Sequence, residues 1–251
     1  TPERAIRALY SLTLYRKKKI ADLTISKSNR LTWLNSIGKG EINYELGAKI
    51  LREYGIPTPP TYECKTKEEA KSKATSLGYP VVLKAIVKGV THKTDIGGVV
   101  LSLKDEEEVA LAFNRLKERV EKRGLAFEGV IVQKMVKGVE VIVGSIWDEQ
   151  FGPVISVGVG GIFTELLRDF SVRVAPILKE EAEEMLEEIK LSKLLDGYRG
   201  IKPVNKSRLA EVIESFSRIL PENPSIKQLE VNPLICLESD IYAVDIRGLI
   251  S

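Results

Sequence analysis

The 251-residue chain has one histidine and two cysteines. Cys64 and Cys236 lie far apart and form no CxxC pair, which excludes a zinc site of that kind. A single histidine, His92, also excludes a histidine-rich metal site. This sparing cysteine usage points to a reducing cytoplasm as the setting. Long apolar runs are missing, so no segment reads as membrane-spanning, and no signal peptide is visible at the start. An excess of one charge is missing too. The net charge is +3 with both signs interspersed, so no nucleic-acid surface is indicated.

What is present fits a soluble globular protein: 43% hydrophobic and 29% charged residues. The length allows one large domain or two lobes with a sizeable core. The chain begins with Thr1 rather than Met, which reads as an excerpt or a processed chain. Its opening stretch reads as a surface helix running into a solvated basic cluster, Lys17 to Lys19. Residues 20 to 40 are polar and turn-rich and read as a linker. Helices are expected near 43–54, 66–77, 105–122, 180–190 and 206–218, the third capped by Asp105. Strands are expected at "TYECK", "YPVVLKAIV", "GVVLSL", "GVIVQKMV", "VEVIVGSIW", "GPVISVGVGGI" and "VRVAPI". The closing pair, "SIKQLEVNPLI" and "IYAVDIRGL", reads as a hairpin. This mixed order is α+β rather than strict βαβ alternation. It divides into an N-terminal helix and linker (1–40) and two lobes, 41–127 and 128–251, with a cleft between the lobes as the expected ligand site.

Several residues in this framework carry chemistry. Lys84 interrupts an apolar strand, where a charge is costly unless paired. It reads either as a phosphate ligand pointing into a cleft or as a snorkelling lysine on an edge strand. The turn in "VQKMVKGVEVIVG" exposes backbone groups that can read a base edge, and Glu140 follows it. An ordinary hairpin accounts for the same spacing. The glycines of "VGVGGIFTELLRD" allow close backbone approach to a phosphate. That loop is no P-loop, because it lacks GxxxxGK[ST].

The closing hairpin is more informative. Glu230 and Asn232 share a strand face, as do Asp245 and Arg247. Folding the hairpin about Glu238 and Ser239 sets Asn232 opposite Asp245 and Glu230 opposite Arg247. This oxygen-rich face suits Mg²⁺. Its competing reading is a solvated face with a Glu230–Arg247 cross-strand pair. His92 is either an exposed loop residue or a phosphoryl acceptor flanked by Lys93, Thr94 and the glycines 97 and 98.

Taken together, these segments resemble an ATP-grasp domain, the α+β fold of two α/β subdomains with nucleotide in the cleft between them. "YPVVLKA" resembles the phosphate-binding lysine strand of that superfamily, and "QKMVKGVE" its adenine-and-ribose segment. "VTHKTDIGGVV", "FGPVISVGVGGIFTELLRDFSVRVAPI", "LLDGYRG" and "LEVNPL…AVDIRG" resemble, more narrowly, the ADP-forming acyl-CoA synthetases related to the beta subunit of succinyl-CoA synthetase. The resemblance covers residues from about 43 to 251.

It implies ATP/ADP and Mg²⁺ as cofactors, and a reversible reaction of acyl-CoA, ADP and phosphate to acid, CoA and ATP. It implies a CoA-binding partner subunit or domain with a first phosphohistidine, in a hetero-oligomer or a fused homo-oligomer. His92 would relay the phosphoryl group to ADP, and Glu230 would hold it near the nucleotide. Lys84, Gln133, Lys134, Val136 and Glu140 match the nucleotide segment, with Gly160, Gly161 and Arg173 as further phosphate contacts. Asn232 and Asp245 match the Mg²⁺ ligands. Many superfamily members carry a second phosphate-binding lysine near the start of the helix before "YGIP". Tyr44 stands there in this chain, with Lys49 a turn further on. Two alternatives stay open: an ATP-grasp carboxylate ligase without a histidine relay, and a degenerate regulatory ATP-grasp domain.

Overall fold

A computed structural model describes residues 30–87, 97–160, 169–197, 200 and 202–251, together with Ile6. The His92 loop, Gly161 and the basic cluster at Lys17–Lys19 lie outside the described residues. Two antiparallel sheets organise the rest.

The smaller sheet contains β2 (Thr61–Cys64), β3 (Val81–Val87), β4 (Val99–Leu103) and β5 (Phe127–Lys134), in the order β2-β5-β3-β4. Two helices cover one face, α2 (Lys67–Leu77) and α3 (Glu106–Glu121). The first starts at Thr66, whose hydroxyl accepts from Glu69 N while the Glu69 carboxylate accepts from Thr66 N, a capping box. The second starts at Asp105, which accepts from Glu108 N at 2.8 Å. Val109, Ala112, Phe113, Leu116 and Val120 recur at helical spacing and are buried. They meet Val81, Leu83 and Ala85 of β3 and Val130 and Val132 of β5 in one core.

The larger sheet runs β1-β11-β9-β6-β7-β8, with β10 also pairing β9. Its strands are β1 (Gly40–Ile42), β6 (Val139–Asp148), β7 (Gly152–Val159), β8 (Phe170–Val174), β9 (Ile226–Cys236), β10 (Ile241–Ala243) and β11 (Ile246–Ile250). Residues of α1 (Tyr44–Glu53), α4 (Lys179–Glu188) and α5 (Lys206–Ser217) share a core with its inward residues, among them Val141, Val143, Ile155, Val157, Leu229, Val231 and Ile246. Period-two alternation then turns Glu140, Gly144, Glu230, Asn232 and Arg247 to the opposite face. No helix among the described residues is long and apolar enough to cross a membrane.

Strand pairing departs from the expected division of the chain at both of its seams. β1 pairs with β11, Gly40 opposite Ile250, and Tyr44, Ile50 and Leu51 of α1 join the larger core. The first elements after residue 40 therefore belong with the C-terminal lobe. Conversely β5, expected beyond the boundary at 127, is an inner strand of the smaller sheet. The linker reading of residues 20 to 40 also needs correction in its described part, 30–40; residues 20–29 lie outside the described residues. Leu31 and Leu34 are buried around a single 3-10 turn, Thr32–Ser36, and Leu31 N donates to Asn223 Oδ1 at 2.9 Å. Local polarity there hid two apolar anchors whose partners lie far away in sequence.

Candidate functional site

A cleft of about 790 Å³ opens between the two sheets. The smaller sheet contributes Val82 and Lys84 from β3, Val99 and Leu101 from β4, and Gln133 and Lys134 from β5. Met135 to Gly138, the crossover from one sheet to the other, also lines it. Glu140, Glu230, Asn232, Ile235, Asp245 and Arg247 come from the larger sheet and its closing strands. A cavity of this size with a few convergent polar groups is suited to a small-molecule ligand.

Lys84 is not on an edge. Its strand lies between β5 and β4, and the residue is 7% exposed. The ammonium donates to the Val244 carbonyl at 2.5 Å and sits 5.5 Å from the centre of the Tyr44 ring. It therefore spans the lobes, reaching from the smaller sheet to the residue before Asp245.

The oxygen-rich face forms in the register expected from the hairpin. Arg247 stands opposite Glu230, and Asn232 N donates to the Asp245 carbonyl at 3.1 Å. Arg247 also donates to its near neighbour in sequence, from Nη2 to Asp245 Oδ2 at 3.2 Å. Asn232 Nδ2 donates to Glu230 Oε1 at 3.2 Å, so Oδ1 is the end of the carboxamide left for a cation. Asp245 and Arg247 side chains are 27% and 28% exposed, open enough to meet a ligand. Among the described residues no three His, Cys, Asp or Glu side chains form a metal cage. Two or three hard oxygens beside an open cleft fit Mg²⁺, which keeps waters and takes phosphate oxygens as ligands.

The remaining expected residues divide. Glu140 is exposed at the start of β6, and Val136 is half-buried in the crossover; both line the cleft. Lys134 lines it too, but its ammonium donates to the carbonyls of Gly78 (2.7 Å) and Tyr79 (3.2 Å). Gln133 is 2% exposed, and its Nε2 donates to Tyr44 Oη at 2.7 Å. These two side chains therefore hold the protein's own groups. Gly160 is off the cleft. Its N–H donates to the Glu140 carbonyl, and an added Cβ would lie 2.8 Å from Glu140 Cβ. Its missing side chain lets β7 run close against β6.

The structure places Arg173 elsewhere as well. It lies on β8, the edge strand, and pairs with Glu188 through both terminal nitrogens, which holds its guanidinium above the usual range. A carboxylate from α4 occupies the fork that a phosphate contact would need. Lys49 stands over the Trp33 ring at 3.9 Å and does not line the cleft.

Tyr44, at the place of the second phosphate-binding lysine of many superfamily members, has a structural partnership that the sequence does not disclose. It is 6% exposed and accepts from Gln133. Thr61 Oγ1 donates to the Pro59 carbonyl at 2.7 Å, so the Tyr44 hydroxyl is the donor in its 3.3 Å bond to Thr61. Burial pushes its phenol upward, so it stays protonated at neutral pH. Its signal was a tyrosine placed at N1 of a helix capped by Asn43.

Two sheets gripping a cleft, a buried lysine on one and a carboxylate–carboxamide strip on the other, define a nucleotide-grasping fold, and the chain belongs to the ATP-grasp domain family, whose model matches residues 36–250. Within that family its similarity is to ADP-forming CoA ligases. It is 43% identical over 205 residues to the acetate–CoA ligase [ADP-forming] I subunit beta of Pyrococcus furiosus, covering 80% of this chain and 88% of that one. It is 36% identical over 258 residues to the acetate–CoA ligase [ADP-forming] I of Archaeoglobus fulgidus, covering 98% of this chain but 38% of that protein. Among solved structures, the dinucleotide-forming acetyl-coenzyme A synthetase 1 of Ca. Korarchaeum cryptofilum, in complex with coenzyme A, Ca-AMPCP and HgCl+, superposes with a TM-score of 0.82 at 37% identity. That match covers 88% of this chain and 98% of the other. In a second structure of that enzyme, with coenzyme A and Mg-AMPPCP, a phosphohistidine segment points towards the nucleotide binding site. It matches with a TM-score of 0.74 at 34% identity, over 90% of this chain and all of the other.

Proposed function

We propose that this chain is the nucleotide-binding part of an ADP-forming acyl-CoA synthetase. The observation that carries the reading is the meeting of Lys84 with Glu230, Asn232 and Asp245 in one cleft, a cation facing an oxygen strip across two lobes. The apolar walls, Val82, Val99, Leu101 and Ile235, suit a base, with backbone groups of Met135 to Gly138 along its edge. Glu140, which lines the cleft, would accept from a ribose hydroxyl. Lys84 neutralises phosphate charge, and phosphoryl transfer depends mainly on such positioning and charge neutralisation. Asn232 and Asp245 would hold Mg²⁺, which would supply neutralisation of phosphate charge.

A CoA-binding partner, as a separate subunit or a fused domain, delivers the phosphoryl group to His92. The imidazole then gives it up to ADP: the P–N bond breaks, a bond to the terminal ADP oxygen forms, and the ring nitrogen recovers its lone pair. Glu230 steadies the histidine near the nucleotide by accepting its other N–H. In this reading the chain acts in the cytoplasm.

The reverse direction supplies a test that needs no partner. Incubation with Mg-[γ-³²P]ATP is expected to leave an acid-labile, base-stable label on His92, absent in His92→Ala. Tight Mg-ATP binding without any label would favour the carboxylate ligase that transfers phosphate directly. No binding of Mg-ADP or Mg-ATP would favour a degenerate docking domain.

A further inference from the structure

β3 and β4 pair in two registers that differ by one residue. Leu103 stands opposite Val81, whereas Val100 stands opposite Leu83. Between those pairs β3 has one residue, Val82, and β4 has two, Leu101 and Ser102. Such a β-bulge bends its strand and can re-aim a side chain beside a site. Ser102 has a φ of 61°, the one positive φ outside glycine among the described residues. An L side chain is disfavoured there, and backbone strain of this kind collects at functional sites.

The bulge decides which side chain of β4 faces the cleft. Paired residues share a face, and Val81 and Leu83 belong to the smaller sheet's core. Val100 and Leu103 pack into that core as well, although a spacing of three sets residues of a regular strand on opposite faces. Carried on without the bulge, the register of Leu103 would set Ser102 opposite Val82 on the cleft face and turn Leu101 to the core. The extra residue turns Leu101 to the cleft instead, where it is 60% exposed. Two of the other apolar walls, Val82 and Ile235, are each 5% exposed and have little surface left to cover. The Ser102 hydroxyl donates to Met135 Sδ at 3.4 Å, which sets the bulge against the crossover that lines the cleft.

We propose that Leu101 packs on the nucleobase and that Ser102, through the bulge it carries, is the positioning residue that puts Leu101 there. Covering an apolar side chain favours binding in proportion to the area removed from water, and among these walls Leu101 has the most to cover. The inference rests on the nucleotide reading of the cleft.

The experiment compares wild type with Leu101→Ala, Ser102→Val and Ser102→Gly. The first readout is the ¹³C-methyl signals of Leu101, assigned by their loss in Leu101→Ala. Mg-ADP is expected to move them through the ring current of the base. Mg-pyrophosphate, which has no base, is expected to leave them in place. The second readout is Mg-ADP affinity by calorimetry, expected to fall roughly fivefold to tenfold in Leu101→Ala. Ser102→Val resists a positive φ and is expected to lose a similar factor, with Leu101 methyls that no longer respond to Mg-ADP. Ser102→Gly accepts that φ and is expected to stay within about twofold of wild type.

Leu101 methyls that ignore saturating Mg-ADP, or that move equally with Mg-pyrophosphate, overturn the proposal. So does a loss below about twofold in Leu101→Ala; in each case Mg-ADP binding leaves the nucleotide reading standing. Wild-type affinity in Ser102→Val overturns the role of Ser102. Should that variant fail to fold, Ser102→Thr, also β-branched, takes its place with the same expectations. Absence of Mg-ADP binding in the wild type would refute the nucleotide reading and the proposal with it.

Discussion

Replacing Lys84 by Met removes an ammonium and leaves a stem of nearly the same length in the same strand. Two consequences separate cleanly. Folding loses the bond to the Val244 carbonyl, worth about 1.5–3 kcal/mol for a charged donor. It also escapes the cost of burying a charge that is only 7% exposed, an opposing contribution of similar size. Gln133 Nε2, 3.4 Å from that carbonyl, remains as a partial substitute. The two contributions oppose each other, so net stability should change by no more than about 2 kcal/mol, a shift of roughly 4–8 °C in Tm.

Binding has no such offset. Two unit charges about 4 Å apart attract by roughly 4 kcal/mol at an effective dielectric of about 20, and water recovers part of that. A net loss of about 1.5–3 kcal/mol corresponds to roughly 10-fold to 150-fold weaker Mg-ADP. Calorimetric titration and thermal unfolding of the same preparations measure both. A Tm lowered by more than about 8 °C with unchanged Mg-ADP affinity would refute the reasoning, leaving Lys84 as an interlobe strut and nothing more.

Gly138→Ala should destabilise by about 1–3 kcal/mol or abolish folding, because the new Cβ would lie 2.2 Å from the Cys236 carbonyl; chemical denaturation measures it. Arg173→Ala should lower stability by less than about 1 kcal/mol and leave the Mg-ADP dissociation constant within twofold, since its partner is a half-exposed Glu188 off the cleft. A large loss of nucleotide affinity there would show that Arg173 leaves Glu188 for phosphate. Burial pushes the Cys64 thiol up to about 11 and the Cys236 thiol up to about 12. Both should resist a thiol-disulfide reagent at pH 8 in the native protein and react after denaturation. These raised values contribute to stability fully below the ordinary thiol pKa near 9. That contribution is lost as pH rises toward 11–12, because the unfolded thiols ionise first. Thermal scans between pH 8 and 11 should show Tm falling with alkalinity.

The legible part of this protein was what repeats locally. A strand alternates with period two, so "LEVNPL" and "AVDIRG" disclosed one shared polar face, and a short turn fixed their register: Arg247 does stand opposite Glu230. Helix caps depend on neighbours three residues away, and Asp105 was readable for that reason. Lys84 announced itself by the cost of a charge in an apolar strand.

What the sequence by itself determined was therefore the set of elements, the polar face of the closing hairpin and the conspicuous lysine. Tertiary structure alone decided which sheet received β1, α1 and β5, and which cations faced the cleft. Arg173 went to Glu188 and Lys49 to Trp33, and Tyr44 came beneath Lys84. The physical reason is sequence separation. Gln133 meets Tyr44 across 89 positions and Lys84 meets Val244 across 160, so neither contact leaves a periodic trace in the chain that makes it.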